Sequence, residues 1–302
     1  MASEDGKVPP SLDSLKKKWN GMSENYQSNY QIWAQPGLQL LFSNLALNEP
    51  PGGWEKETDR PKSILEVGVG PGGALARVLN QVPCGCEYTA TDYAEEMVKL
   101  CRETLDGITP PGSAVNVVQA PASKLPFENG VFDRYVSNLC LMLIPDFDAG
   151  LREAARVLRP GAVMAFTLWG RRQRSHYFSI QSQAMKELGI VNNAGFDQPT
   201  RDNYHVLDQG VEATKARVRN AGFDRVVLFF TNLSHGHLDG KQYVKHRLAT
   251  DQSGRTFREA LPAAQLIALE TLMVTKADEL IAKGEPIGLD VAVIVCRRQM
   301  QL

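Results

Sequence analysis

The sequence predicts an α/β fold: a doubly wound, mostly parallel sheet of seven strands with N-terminal helices and a helical cap. Short apolar, strand-like segments alternate with helical segments between residues 63 and 168, which is typical of a parallel sheet covered on both faces. A glycine-rich turn joins the first of these strands to the helix after it. Two mostly helical stretches then interrupt a strand pattern that resumes after each of them.

The N-terminal segment, residues 12–48, is predicted to form two amphipathic helices. Its large side chains recur at spacings of three and four: Trp19, Met22, Tyr26, Tyr30 and Trp33. Such a stripe is typical of core packing. The alternative is that Tyr26 or Tyr30 covers a ligand pocket.

The core elements follow in order. We predict strands at 63–67, 87–91, 114–118, 132–137 and 161–168, and helices at 73–81, 94–105 and 147–158. A helix–Gly–strand unit returns at 211–233, and the last apolar strand is 289–298. Both helical excursions would leave the carboxyl edge of a parallel sheet, where such folds bind ligands, so we interpret them as a cap that encloses a substrate.

These elements define the predicted domain boundaries. They are a disordered leader at 1–11, N-terminal helices and a linker at 12–60, a ligand-binding core at 61–170, a cap insertion at 171–211, a continuation of the core at 212–234, cap helices at 235–286, and a last core strand at 287–302.

Composition excludes several classes of protein. A formal net charge of -1 provides no general attraction to nucleic acid. No apolar run approaches the roughly 20 residues of a membrane span, and the first residues contain no apolar signal core, so we expect a cytoplasmic protein. The five cysteines are scattered and odd in number, which favours reduced thiols. No feature indicates an oligomeric state.

The glycine turn predicts a cofactor site. Gly68, Gly70 and Gly73 fit the spacing of a dinucleotide loop, but that spacing alone is weak evidence. Glu66 occupies a buried strand position, where a carboxylate needs a charged partner such as an ammonium group. Asp92 ends the second strand, where a carboxylate can accept hydrogen bonds from both hydroxyls of a ribose.

Five collinear segments resemble the motifs of one family. LEVGVGPGG, YTATDYAEEMV, VNVVQAPASKLPF, FDRYVSNLCLMLIPD and EAARVLRPGAVMAFTLWG are similar, in this order, to the first to fifth motifs of the class I S-adenosylmethionine-dependent methyltransferases. Within that class the chain resembles the small-molecule branch related to the ubiquinone/menaquinone C-methyltransferases, methyltransferase type 11. The resemblance covers residues 60–170 well. It implies a Rossmann-like fold, S-adenosylmethionine as cofactor with S-adenosylhomocysteine as product, and a small-molecule acceptor methylated at O, N or C.

The resemblance also implies roles for individual residues. Glu66 and the loop 68–72 would hold the methionine end of the cofactor, Asp92 the ribose, and Tyr93 with Met97 the adenine face. Where the family usually has an acid that contacts the adenine amino group, this chain has Pro121, which offers neither a carboxylate nor an N–H. The Ala122 amide or the Ser123 hydroxyl could serve instead. The full set of candidate cofactor-binding residues is Glu66, Gly68, Gly70, Gly72, Asp92, Tyr93, Met97, Ala122, Ser123, Asn138 and Tyr26.

Candidates for acceptor chemistry follow the fifth strand. A sulfonium methyl group is already activated, so the protein mainly has to position the acceptor and exclude water, and a base is needed only for an acceptor of high pKa. His176 is a candidate general base, with His205 a weaker alternative. Arg171, Arg172 and Arg174 could bind an anionic group of the substrate, or they could form a solvated basic loop.

Other interpretations stay open at this level. The pairs His235/His237 and Cys84/Cys86 lack the further ligands of a zinc site, so no metal is predicted. A catalytically silent, methyltransferase-like binding module is one alternative, favoured only by Pro121. An NAD(P)-dependent oxidoreductase is another, disfavoured by Glu66 and by the absence of a recognisable Ser/Tyr/Lys catalytic set.

Overall fold

A computed structural model describes residues 11–29, 31–47, 53, 60–108, 115–190, 203–234, 236, 239–250 and 255–300. Its strands are β1 (Ser63–Val67), β2 (Glu87–Asp92), β3 (Val115–Gln119), β4 (Phe132–Ser137), β5 (Leu158–Trp169), β6 (Phe223–Ser234) and β7 (Gly288–Arg298). Its helices are α1 (Leu12–Asn29), α2 (Gln31–Asn44), α3 (Gly73–Val78), α4 (Glu95–Leu105), α5 (Phe147–Val157), α6 (His176–Glu187), α7 (Val211–Asn220), α8 (Gly240–Thr250), α9 (Arg255–Glu259) and α10 (Ala263–Ala282).

The strands form one sheet with the order β3-β2-β1-β4-β5-β7-β6. β1 pairs in parallel with β2 and β4, and these pair in parallel with β3 and β5. β7 runs antiparallel to both of its neighbours, β5 and β6. The prediction of a mostly parallel, seven-stranded sheet is therefore confirmed, with β7 as the reversed strand.

Helices cover both faces of this sheet, because each face buries its own apolar core. One core contains Leu41 of α2, Leu75 of α3 and Tyr177 of α6, together with apolar residues of α8 and α10. The other core contains Leu151 of α5 and Val218 of α7. This arrangement confirms the doubly wound architecture.

Element boundaries differ slightly from the sequence prediction. The helix predicted at 73–81 is α-helical only to Val78 and continues as a 3₁₀ turn over Leu79–Gln81. The strand predicted from residue 161 begins at Leu158, which pairs with Phe132 before the register shifts between Phe132 and Arg134. That irregularity lets the strand start directly after α5, where sequence patterning indicates a turn.

The reversal of β7 fixes where the helical excursions attach. The first leaves the carboxyl end of β5, and the second runs from the end of β6 to the start of β7, so both of its ends lie at the same edge of the sheet. Within these excursions α10 packs against α6 and α8. Tyr177 of α6 also packs edge-on against Trp33 of α2, with ring centroids 4.7 Å apart.

Several sequence predictions lie outside the described residues: the leader 1–10, most of the linker, Tyr30, the cap segment 191–202, and His235 with His237. Within the residues that are described, no group of three His, Cys, Asp or Glu side chains could hold a metal ion. The same part of the chain contains no helix with the length and apolar character needed to span a bilayer.

Candidate active site

A cavity lies at the carboxyl ends of β1, β2 and β4, and its empty volume is about 1010 Å³ with the space at its mouth included. Its walls come from the loop after β1, the end of β2, the start of α4, the turn at 120–122, the turn at 138–144 and helix α1. Open α/β sheets bind their ligands in this crevice.

The glycine loop forms the floor of the cavity, and its three predicted glycines are needed for different reasons. All three have positive φ, between 59° and 81°, a backbone conformation that disfavours other residues. A Cβ at Gly68 would collide with Cys140, and one at Gly72 would lie 2.9 Å from the Cys101 sulfur. A Cβ at Gly70 would meet only Tyr26, at 3.7 Å. Gly70 is therefore the position at which a side chain would enter the cavity.

Glu66, two residues before the loop, also faces this cavity. Only 3% of the residue is exposed, and its carboxylate accepts a hydrogen bond of 2.7 Å from the Tyr88 hydroxyl. Burial raises the pKa of Glu66 to about 7, the Tyr88 hydrogen bond opposes this rise, and the negative charge of Asp92 adds to it. Within the described residues, no lysine, arginine or histidine forms an ion pair with Glu66, so a buried acid is available for a cationic ligand.

Asp92 is held at the end of β2 by backbone groups. One carboxylate oxygen accepts from the Gly70 amide at 3.0 Å and the other from the Ala94 amide at 2.9 Å. Burial raises the pKa of Asp92, and these backbone hydrogen bonds oppose the rise. The two contacts couple the carboxylate to the glycine loop and orient it toward the cavity.

The residues implied to contact adenine lie together on one wall. Tyr93, Met97 and Ala122 all line the cavity, as does Pro121. Ser123 does not line it, so of the two replacements considered for the missing acid, the structure brings only Ala122 to the cavity.

Asn138 and Tyr26 complete the predicted set, and both line the cavity. Asn138 follows β4, donates to the Ala34 carbonyl at 2.8 Å and accepts from the Thr167 hydroxyl at 2.8 Å. It thereby joins α2 to β5 beside the cavity. Tyr26 packs edge-on against Trp19, with ring centroids 5.7 Å apart.

The sequence analysis missed part of the wall. Leu12, Leu15 and Trp19 of α1 line the cavity, and so do Leu143 and Ile144 after β4. Trp19 belongs to the aromatic stripe of α1, which the sequence analysis interpreted as core packing or as a cover over a ligand pocket. Apolar periodicity alone could not show that this stripe faces a cavity.

The three arginines after β5 lie away from this cavity, and each has a partner within the chain. Arg171 forms a bidentate pair with Asp290, at 2.8 and 3.1 Å. Arg174 binds Glu285 at 2.7 and 2.8 Å. Arg172 lies 4.2 Å from the centre of the Tyr204 ring. The three arginines, which the sequence suggested as ligands for an anionic group of the substrate, are therefore engaged in contacts within the chain.

His176 is also absent from the cavity wall. It begins α6 and is partly buried, and this burial lowers its pKa. No described residue of the two cap segments lines the cavity. The expectation that the cap encloses the substrate is therefore not supported by these residues, because the apolar faces of α6, α8 and α10 are buried in the core on one face of the sheet.

Comparisons with known proteins agree with this geometry. Residues 65–166 match a family described as a methyltransferase domain. The ubiquinone/menaquinone biosynthesis C-methyltransferase of Nitrosospira multiformis is 30% identical over 229 residues, which cover 72% of this chain and 84% of that protein. The malonyl-acyl carrier protein O-methyltransferase of Geobacter sulfurreducens is 26% identical, with 72% and 76% covered.

Two solved structures show the same fold. The cyclase SpnF has a TM-score of 0.57 at 14% identity, with 97% of this chain and 98% of that chain covered. The phosphoethanolamine N-methyltransferase 2 of Haemonchus contortus has a TM-score of 0.54 at 16% identity, with 97% and 61% covered. At such identities these likenesses concern the fold alone.

The relatives and the family match confirm that this chain is a methyltransferase, and not an oxidoreductase or a silent binding module. S-adenosylmethionine is accordingly the cofactor, and the acceptor is a small molecule. The chain belongs to the class I S-adenosylmethionine-dependent methyltransferases.

Proposed function

We propose that this methyltransferase holds its cofactor with Glu66, the glycine loop and Asp92, and methylates a small, apolar, uncharged acceptor that enters the same cavity. The observation that carries the proposal is Glu66. It is a nearly fully buried carboxylate on the wall of a ligand-sized cavity, and no cationic side chain of the described residues pairs with it. Burying such a charge is costly unless a cation compensates it, and the cofactor brings an ammonium group.

The other cofactor contacts follow from the same wall. Asp92 has lone pairs left after its two backbone contacts, and these can accept hydrogen bonds from ribose hydroxyls. Tyr93 and Met97 offer apolar surface to the adenine ring, and Ala122 offers a backbone amide. When bound, the cofactor supplies a methyl group on a positively charged sulfur.

The acceptor is proposed to be apolar because the remaining wall is apolar. Leu12 and Leu15 of α1 line the cavity together with Leu139, Leu143 and Ile144. The arginines that could have favoured an anionic acceptor are bound elsewhere, and the carboxylates of Glu66 and Asp92 would repel an anion. These residues position the acceptor beside the methyl group and exclude water. Such positioning can lower the activation barrier by roughly 7–11 kcal/mol.

No general base is assigned in this proposal. His176 lies outside the cavity wall, and an acceptor atom without a proton of high pKa needs no base. A cytoplasmic location is also part of the proposal. It is supported by the cysteines, all of which lie in described residues and are free thiols.

Gly70→Val tests the cavity as the cofactor site. Its side chain would fill the space beside Tyr26, so we expect calorimetry to detect no binding of S-adenosylhomocysteine. Gly85→Val is the matched control. Gly85 has a similar positive φ of 78°, so the backbone strain is shared, but a Cβ there meets open space in the turn before β2.

The proposal requires that Gly85→Val binds S-adenosylhomocysteine as the unmodified protein does. Normal binding by a folded Gly70→Val protein would show that the cofactor lies elsewhere. The same assay with candidate acceptors, added after cofactor binding, would then rank neutral apolar compounds against anionic ones.

A further inference from the structure

One hydrogen bond next to the glycine loop joins two buried side chains on adjacent strands. The Tyr88 hydroxyl of β2 donates to the Glu66 carboxylate of β1 at 2.7 Å, and Tyr88 is 0% exposed. Tyr88 pairs in register with Ile64, two residues before Glu66, so the two side chains are diagonal neighbours on one face of the sheet. The Tyr88 ring stacks on Phe42 of α2, with centroids 6.2 Å apart.

Groups from each neighbouring element surround this pair. Asp92 stands at the end of β2, Cys86 just before β2, Cys101 on α4 and Cys140 after β4. Burial raises the pKa of each thiol to about 12, so all three are neutral near pH 7, and Asp92 contributes only negative charge. Burial and the nearby Glu66 charge raise the pKa of Tyr88 well above its usual value, so the phenol keeps its proton.

We propose that Tyr88 is a positioning residue for cofactor binding, whose hydroxyl keeps the Glu66 carboxylate ionised and oriented toward the cofactor's ammonium group. This inference rests on the proposed role of Glu66. The tyrosine occupies one carboxylate oxygen from the core side and leaves the other for the ligand. A hydrogen bond to the charged form of an acid favours that form, which here opposes the effect of burial.

A pH dependence of binding follows. The pKa of Glu66 is about 7, so the free protein loses the carboxylate charge as pH falls through 7. Binding of S-adenosylhomocysteine, which carries the same ammonium group, should weaken about tenfold for each pH unit below that value. Without the Tyr88 hydroxyl, protonation should begin at higher pH.

The test compares Tyr88→Phe with the unmodified protein by calorimetry of S-adenosylhomocysteine binding between pH 5.5 and 8.5. We expect the midpoint of the Tyr88→Phe profile to rise by about one pH unit, because a charge-assisted hydrogen bond has been removed. Affinity should then fall about fivefold at pH 7, approach a tenfold loss at pH 5.5, and recover to within about threefold at pH 8.5. The ring packing on Phe42 is kept, and circular dichroism checks the fold.

Tyr135→Phe is the matched control. Tyr135 of β4 is also 0% exposed, but its hydroxyl has no hydrogen-bond partner within the described structure and lies in the core of the other face. Its profile should follow that of the unmodified protein. An unchanged midpoint in Tyr88→Phe, or an equal loss of affinity at every pH, would overturn the positioning role.

Glu66→Gln separates this inference from the proposed function. We expect it to bind weakly at all pH values, with no titration near 7, and Tyr88→Phe added to it should change nothing further. If Glu66→Gln binds normally at pH 8.5, the proposed role of Glu66 fails. If it binds weakly while Tyr88→Phe follows the unmodified profile, only the role of Tyr88 fails.

Proton release provides a measurement that needs no Tyr88 variant. Calorimetry of the unmodified protein at pH 6.5, in two buffers of different ionisation enthalpy, should show more than about half a proton released per ligand bound. Glu66→Gln should abolish that release. Binding without proton release by the unmodified protein would contradict the titration that the Tyr88 role requires.

Discussion

The two halves of the sheet differ in how their acids are paired. One half is formed by β3, β2, β1 and β4 and the other by β5, β7 and β6, and both have acids near the carboxyl edge. Glu66 and Asp92 in the first half line the cavity and form no ion pair within the described residues. Asp290 in the second half is as buried as Glu66, and it receives a bidentate arginine. Its carboxylate also accepts from the Arg171 backbone amide at 2.7 Å.

The difference separates acids that complete the fold from acids available to a ligand. A buried acid paired with arginine already has its countercharge, and it holds the loop after β5 against β7. A buried acid without a cation keeps a raised pKa and costs stability until a cationic ligand arrives. Three substitutions would break or sharpen this contrast.

Asp92→Ala should have the largest effect of the three substitutions, and this effect should be a loss of affinity for the cofactor. It removes charge-assisted hydrogen bonds to two ribose hydroxyls, so we expect S-adenosylhomocysteine to bind about 2–4 kcal/mol more weakly, or roughly 30- to 1000-fold. Calorimetry at pH 8 measures the loss, and Asp92→Asn, which keeps one carbonyl acceptor, should lose less. An unchanged dissociation constant in a folded Asp92→Ala protein would remove Asp92 from the cofactor site.

Arg171→Gln should act on stability and leave binding alone. The substitution leaves the Asp290 carboxylate, which is 2% exposed, without its cationic partner. Two facts limit the cost: the backbone amide of residue 171 still donates to Asp290, and the arginine side chain is 43% exposed. We therefore expect a loss of about 2–3 kcal/mol in urea unfolding, below that of a fully buried pair.

Arg174→Gln is the control for this substitution, because its pair with Glu285 is 48% and 34% exposed and should contribute less than about 1 kcal/mol. A weaker affinity for S-adenosylhomocysteine in Arg171→Gln, with stability unchanged, would reverse the assignment of this half of the sheet as structural.

Glu66→Gln should change stability with the sign opposite to that of Arg171→Gln. The folded pKa of about 7 lies above the ordinary value of 4.5, so the folded state binds the proton more tightly and stability falls as pH rises through this window. The free Glu66→Gln protein should be more stable than the unmodified protein at pH 8 by up to about 3 kcal/mol, with a gain of less than about 1 kcal/mol at pH 5. Urea unfolding at both pH values measures this, and a loss of stability at pH 8 would contradict the assignment of Glu66 as an uncompensated charge.

Much of the cofactor half could be predicted from the sequence, since its signals are local. The loop from Gly68 to Gly72 follows a strand directly, and Glu66 and Asp92 occupy fixed positions relative to the ends of β1 and β2. A parallel arrangement brings the ends of adjacent strands to one edge. The candidates chosen on this basis line the cavity, with Gly72 and Ser123 as the exceptions.

Predictions after β5 had no such local support. The position of Arg171 just past a strand indicated the correct edge of the sheet, but its partner Asp290 lies 119 residues later. The reversed strand β7 supplies that partner, and no pattern near residue 171 reveals it.

The sequence by itself determined the fold class, the place of the glycine loop and the acids beside it, because strand periodicity, glycine conformation and burial of short apolar runs act over a few residues. Only the tertiary structure decided that α1 lines the cavity and that the described cap helices pack into the core. It also decided that the Tyr88 hydroxyl donates a hydrogen bond to the Glu66 carboxylate. The physical reason is that these outcomes depend on which distant surfaces meet. A buried charge is neutralised by whatever group the folded chain or its ligand brings within hydrogen-bond distance.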